Sequence, residues 1–244
     1  MKTLLKIENL KKNGILNNIS FEVQKGEMLG IMGPSGSGKS TLLYHVSGME
    51  QIEGGEVILA DTAMSNMSED ELAEFRLRKT GFVFQQMNMI SSLNLLDNIL
   101  LPAYHICKNK TEKQQKKEAA LALMKKMQIE HLAEREITQV SGGQLQRACI
   151  CRSMINQPQI LFADEPTGAL NRTAALEIME ELKRLNREGT TILMVTHDSK
   201  IASCCDRILY LLDGSIQGEL SFSHEEAAFS REEKLISWLQ QLGW

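Results

Sequence analysis

Gly33-Pro34-Ser35-Gly36-Ser37-Gly38-Lys39-Ser40 is the stretch whose reading decides the fold. Its spacing fits G-x-x-x-x-G-K-[ST], a loop that cradles phosphate groups with backbone N–H groups. The apolar run Met28–Met32 before it predicts a strand, and Thr41–Val46 after it predicts the start of a helix. Strand, loop and helix in that order are the context the motif needs; a chance glycine-rich turn carrying a lysine would lack it. Gly36 and Gly38 let the backbone turn tightly and aim its amides inward. The helix start adds positive potential where phosphate would lie. Lys39 is placed for the β and γ phosphates, the Ser40 hydroxyl can ligate Mg²⁺, and Thr41 completes the nucleotide-binding set.

A second segment points the same way. Gln159–Phe162, Ala163, Asp164 and Glu165 form a short apolar run ending in two carboxylates. Such a run predicts a fully buried strand of a parallel sheet. Ligands of open α/β sheets sit at the carboxyl ends of the strands. Asp164 is therefore the expected Mg²⁺ partner, through water, and Glu165 is placed to polarise an attacking water. Alone, Asp-Glu-Pro would read as an ordinary strand-ending turn.

Between the two lies Val140-Ser141-Gly142-Gly143-Gln144. This segment resembles the signature of ABC transporter ATP-binding subunits, which is close to Leu-Ser-Gly-Gly-Gln. The likeness covers residues 5 to 220. It rests on five motifs in the family's order: the phosphate loop, Gln85 after Gly81–Phe84, the signature, the strand ending Asp164-Glu165, and His197 after Thr191–Thr196. The resemblance implies a P-loop NTPase core of α/β class (RecA-like) with an antiparallel β subdomain and a helical subdomain. It implies ATP and Mg²⁺ as ligands. Gln85 matches the family's Mg²⁺- and water-sensing glutamine, and His197 its γ-phosphate-contacting histidine. Ser141, Gly142, Gly143 and Gln144 would cap the ATP held by a second subunit, so a homodimer is implied. Read without the family, two glycines permit close backbone approach. Leu145, Ala148, Cys151 and Ile155 recur at helical spacing, which sets Ser141 at a helix N-terminus. His45, His105, His131 and His224 have no such context and read as structural.

Composition bounds the rest. The chain has 244 residues, 43% of them apolar, enough for one sizeable α/β domain. A net charge of −4 argues against general nucleic-acid binding. No run approaches the about 18 apolar residues of a membrane span, and no signal peptide opens the chain. The expectation is a cytoplasmic protein, peripheral on the inner face of the membrane through a separate integral permease. The five cysteines fit a reducing compartment and read as small buried hydrophobes, not as zinc ligands.

The expected ATPase domain is 1–220, with a helical subdomain at about 86–157, and 221–244 is an extension. Ser68-x-x-Glu71 caps a helix running to about Arg78, and Thr111-x-x-Gln114 caps another with Ala120, Leu123, Met124 and Met127 as its apolar stripe. Lys108, Lys110, Lys113, Lys116 and Lys117 read as a solvated face, with a patch against anionic lipid as the sharper alternative. Ala175, Ile178, Met179, Leu182 and Leu185 predict a core-facing helix ended by Gly189. Asp213-Gly214 predicts a hairpin turn, and Arg231–Leu239 a last short helix.

Segments such as Asp97–Pro102 and Phe162–Leu170 resemble the macrolide-exporter and lipoprotein-release group. Met194–Asp198, Ser203–Arg207 and Glu233–Trp244 look most like the bacitracin-type peptide-resistance branch. In that branch the partner is a large permease working with a sensor kinase, whose contact with this chain would be indirect. The alternatives are a lipoprotein-release, macrolide-efflux or cell-division ATPase, or a non-transport ABC ATPase. Against the last, only 55 residues separate Gln85 from Ser141, with no sustained heptads. Two positions depart from the family. Asn13 stands where an aromatic usually stacks on adenine, leaving Phe21 or a partner's aromatic as other sources. Asn171 stands where an aspartate helps couple the two ATP sites.

Overall fold

The apolar runs without alternation become the buried centre of a sheet, and the alternating ones a sheet with one wet face. The computed structural model describes residues 2–223 and 226–244; His224 lies outside them. β1 (Thr3–Lys12) and β2 (Leu16–Gln24) alternate buried and exposed residues. They pair antiparallel, with β4 (Gly54–Leu59) on the other side of β1 and β5 (Thr62–Ala63) beyond it.

The second sheet is mostly parallel. β3 (Met28–Met32) is buried throughout and feeds the loop before α1 (Lys39–Val46). α2 (Glu69–Lys79) starts at a full capping box between Ser68 and Glu71 and leads into β6 (Thr80–Val83). After the helical stretch come β7 (Ile160–Asp164), α6 (Arg172–Arg187), β8 (Thr191–Val195), α7 (Ser199–Ala202) and β9 (Arg207–Leu212). The strand order is β10-β9-β3-β8-β7-β6, where β10 (Ser215–Ser221) is an antiparallel edge strand. Asp213 and Gly214 both have positive φ, as a two-residue turn between twisted strands needs. The parallel core with a separate antiparallel sheet is the α/β architecture expected of a P-loop NTPase.

Between β6 and β7 the chain is helical: α3 (Leu95–Ile106), α4 (Lys110–Lys126) and α5 (Gly142–Met154). α5 is enclosed on more than one side. Cys149 and Cys151, two residues apart, are both buried because α3, α6 and β6 all pack against this helix. The cap of α4 differs from expectation. Asn109, not Thr111, accepts from the backbone N–H of Glu112 at 2.9 Å, and the Glu112 carboxylate accepts from the Lys108 N–H at 2.7 Å. Asn109 thus caps the helix two residues earlier and lengthens it accordingly, while Glu112 reaches back one residue beyond the cap, to Lys108 N–H. Two of the five lysines there are engaged within the protein: Lys113 lies over the Tyr104 ring, and Lys116 donates to Ile155 O and Asn156 Oδ1.

α6 ends as its glycine requires. Gly189 has φ +102°, and Thr190 N–H returns to Leu185 O at 3.1 Å. The last helix, α8 (Ala228–Gln241), is longer than expected and docked on the main core. Leu235 and Leu239 are fully buried against the β-sheet. Burial of such side chains contributes ~1.5–3 kcal/mol each, so α8 is part of the folded unit.

Candidate functional site

The loop between β3 and α1 has the backbone its glycines predict. Gly36 and Gly38 sit at φ +81° and +98°, conformations that cost other residues strain. Gly33 meets a different constraint. A Cβ there would lie 2.1 Å from Leu211 O, so β9 leaves no room for a side chain. The loop is tied to the β9–β10 turn by Gly214 N–H donating to Ser37 O at 3.1 Å. Lys39 curls over it, its Nζ donating to Gly33 O and Pro34 O, each at 2.8 Å. Burial lowers the Lys39 pKa, while the Glu165 and Asp164 carboxylates oppose that shift.

Strand register brings the distant acids and amide together. β6 and β7 pair Val83 with Ala163, so two residues further Gln85 reaches Glu165. Its Nε2 donates to Glu165 Oε2 at 3.3 Å. β7 and β8 pair Asp164 with Val195, which brings His197 alongside. His197 Nδ1 lies 2.8 Å from Glu165 Oε1; a carboxylate only accepts, so that nitrogen donates. Glu165 has φ +42°, unusual for a non-glycine residue, with its N–H held by Val195 O at 3.0 Å. Such conformations persist where the surroundings over-determine them, and they cluster at functional sites.

Asp164 lies beneath the loop, almost fully buried. Its Oδ1 accepts from Ser40 Oγ and its Oδ2 from Tyr44 OH, both at 3.0 Å. Burial raises the Asp164 pKa, against the two hydroxyl bonds. Burial, and then Asp164, push Tyr44 up to about 12. Tyr44 is the residue that the motif reading missed. A signal existed: it follows Ser40 by four residues on a helix, which sets the two hydroxyls on one face.

Gly33–Gly36, Gly38–Thr41, Gln85, Glu165 and His197 line one cleft of about 770 Å³. Ser37 is buried below it, and its Oγ has no partner among the described residues. Asn13 is exposed in the short turn between β1 and β2 and is not on this cleft. Phe21 is buried under the antiparallel sheet and does not reach it either. Ile15 and Trp244 do line it.

Ser141 stands apart from that cluster. Its Oγ accepts from Gln144 N–H at 3.3 Å, and Gln144 Oε1 accepts from Ser141 N–H at 2.9 Å, a complete capping box for α5. Ser141, Gly142, Gly143, Gln144, Arg147 and Asn171 line a separate cleft of about 410 Å³. The two clefts share no lining residue.

Comparison with known proteins shows the family. The family described as ABC transporter matches residues 16–168. An ABC transporter ATP-binding protein of Methanocaldococcus jannaschii, MJ0796, is 40% identical over 206 residues, covering 84% of this chain and 88% of its own. Bacitracin export ATP-binding protein BceA of Halalkalibacterium halodurans is 38% identical over 212 residues, covering 86% and 83%. The macrolide export ATP-binding/permease protein MacB of Campylobacter jejuni is 38% identical over 229 residues. That match takes in 94% of this chain, which spans only 34% of MacB. The solved dimeric structure of MJ0796 superposes with a TM-score of 0.82 at 38% identity, over 90% of this chain and 99% of that one. Its post-hydrolysis state with ADP and Pi gives 0.79 at 36% identity, over the same shares of the two chains. The chain belongs to the ABC transporter family, as an ATP-binding subunit that hydrolyses ATP.

Proposed function

We propose that ATP hydrolysis by two facing copies of this chain drives a separate membrane permease, in antimicrobial-peptide resistance or export. One observation carries the chemistry: Gln85, Glu165 and His197 form a hydrogen-bonded cluster on the rim of the cleft that holds Lys39 and Ser40. Glu165 is then the general base for the attacking water. Gln85 orients that water, and His197 both holds the carboxylate and reaches toward the γ-phosphate. The loop amides and Lys39 bind the phosphates.

Mg²⁺ fits the residues present. Ser40 and Asp164 offer hard oxygens 3.0 Å apart, and Asp164 is buried with two hydroxyls as its hydrogen-bond partners. No group of three or more His, Cys, Asp or Glu side chains suited to a metal occurs among the described residues. In this reading the cation is held by one or two protein oxygens together with phosphate and water. Ser40 and Asp164 would hold it, with Gln85 beside them. When bound, it neutralises charge on the β and γ phosphates.

The signature cleft supports the dimer. Gly142 and Gly143 offer helix-terminal amides to a phosphate that the same chain's loop does not hold, while the capping box engages those of Ser141 and Gln144. Residues 1–220 are taken as the ATPase domain, 86–157 as its helical part and 221–244 as an extension of it. A groove of about 370 Å³ between α2 and α3 supports the permease partner. Met49, Leu77, Phe82 and Leu101 line it. Its two arginines are already engaged, Arg76 with Gly48 O and Arg152 with Met87 O and Asn88 O. No helix among the described residues is long and apolar enough to cross a membrane. In this reading a separate spanning chain anchors the protein to the inner membrane face, and any sensor kinase is reached through that chain.

Two measurements test the reading. The purified chain should release phosphate from ATP, and Lys39→Ala should abolish that release. Pull-down from solubilised membranes should bring a multi-span protein with the wild type and not with Leu101→Glu. Ribosome or DNA in its place would favour a non-transport ATPase.

A further inference from the structure

The cleft over residues 33–41 has two kinds of wall. One is polar: the loop itself, Gln85, Glu165 and His197. The other is apolar. Ile15 and Trp244, 39% and 47% exposed, are its large hydrophobic side chains, and Trp244 is the aromatic among its lining residues.

Trp244 is held by three separate constraints. Gly243, at φ +85°, reverses the chain at the end of α8. Gly243 N–H then returns to Gln240 O at 3.3 Å and Trp244 N–H to Leu239 O at 3.1 Å, the paired bonds of a Schellman turn. The Trp244 ring stands edge-on to Tyr210, with centroids 5.9 Å apart and planes at 62°. Tyr210 is fully buried and pairs in register with Met32, one residue before the loop begins. Below it, Leu235 and Leu239 fix α8 to the core. The indole is thus a half-exposed plate in the same cleft as a phosphate-binding loop. A ligand that fills both walls has a polyanionic end and a flat aromatic end.

We infer that Trp244 is the base platform of this cleft: the nucleotide base stacks on its indole while the phosphates lie on residues 33–41. The inference rests on the loop being the phosphate site and adds the residue that receives the base. Every base has a π face, so a stacking platform without paired hydrogen bonds grips adenine and guanine alike. Ile15 lines the same cleft beside Gly38, where an added Cβ would meet Ile15 O at 3.3 Å.

ADP and pyrophosphate separate the two ends of the ligand without turnover. Calorimetric titration of each into wild type, Trp244→Ala and Trp244→Phe decides the matter. Base–aromatic stacking is typically worth enough that Trp244→Ala should weaken ADP about tenfold or more. Pyrophosphate affinity should stay within about twofold, which also shows that the loop has kept its fold. Trp244→Phe, which retains a ring, should recover most of the ADP affinity. ADP binding to Trp244→Ala within twofold of wild type overturns the inference, and so does tighter binding, which would make the indole an obstruction. Parallel loss of pyrophosphate also overturns it, since the ring would then act through the loop. Failure of pyrophosphate to bind wild type, or binding unchanged in Lys39→Ala, sinks the phosphate-site reading instead.

Discussion

The phosphate-loop cleft and the signature cleft use the same device, backbone amides at a helix N-terminus, yet they differ in how complete they are. Around the loop, one chain supplies a cation, two acids, an amide and an imidazole, hydrogen-bonded across three parallel strands. Around Ser141 the side chains of Ser141 and Gln144 bond within their own helix, and Arg147 reaches out only to Met127 O and Glu177. The first cleft has the parts for chemistry, and the second has only a means of recognition. On the proposed reading one chain carries a reaction centre in one cleft and a phosphate cap in the other, an arrangement that two copies can satisfy mutually. A variant in the first region should lose turnover and keep binding. A variant in the second should lose association and keep both fold and monomer binding.

The largest effect belongs to Glu165→Gln. The amide still accepts one hydrogen bond and keeps the side chain's shape, but it cannot take a proton. General-base catalysis contributes ~10²–10⁴-fold, so single-turnover hydrolysis should fall by about that factor while ATP affinity stays near wild type. Phosphate release within about twofold of wild type would remove Glu165 from the role. ATP should then hold the variant as a dimer, because the bound γ-phosphate persists.

Ser141→Arg probes the other region. It sets bulk and charge on the exposed end of α5, away from the loop cleft. On the Glu165→Gln background, light scattering should report monomer with or without ATP, while ATP still binds the monomer. A dimer that survives this change would refute the capping role. Ser141→Ala is milder. It removes the N-cap oxygen held to Gln144, and loss of such caps costs ~0.5–2 kcal/mol of stability. Thermal unfolding should register that cost, and monomer ATP affinity should not.

What the sequence disclosed divides along the same line. Most of what contiguous residues carry was legible: the loop and its glycines, the acid pair at a strand end, the helix start at Ser141, the turn at Asp213-Gly214. Gln85 and His197 were legible as candidates through the family resemblance, each following an apolar strand. Their contact with Glu165 was not, since it depends on which strands lie side by side. Trp244 lies over 200 residues from the loop, and no spacing rule connects them. Asn109 was missed as the cap of α4 because two overlapping pairs satisfied the same rule. Tyr44 was hidden differently. An aromatic after Leu42 and Leu43 reads as core, yet its ring packs on Phe82 while its hydroxyl reaches Asp164. Tyr44→Phe keeps that ring packing and deletes one bond to a carboxylate still held by Ser40. A stability loss of about 1 kcal/mol is expected, readable in denaturant unfolding; no loss would mean water replaces the hydroxyl.

The smallest effect concerns the segment between the two regions. Asn171 lines the signature cleft, in the connection that runs from Glu165 to α6. Its Oδ1 accepts from Ala174 N–H at 3.0 Å, capping that helix. Aspartate caps as well as asparagine does, so the bond survives in Asn171→Asp. The new charge then faces the positive end of α6, and a charge so placed stabilises by ~0.3–1 kcal/mol at low salt. For a chain of this size that is a gain of roughly 1–4 °C in Tm. Salt should erase it, because the position is exposed. Comparing unfolding of wild type and Asn171→Asp at low and high salt makes the test. A drop in Tm would show that the Asn171 amide N–H₂ makes a contact this arrangement does not include. A gain that persists in high salt would show that the charge meets a buried partner, not the helix end. Either result would mean that the segment joining the two clefts is more tightly built than a single cap bond.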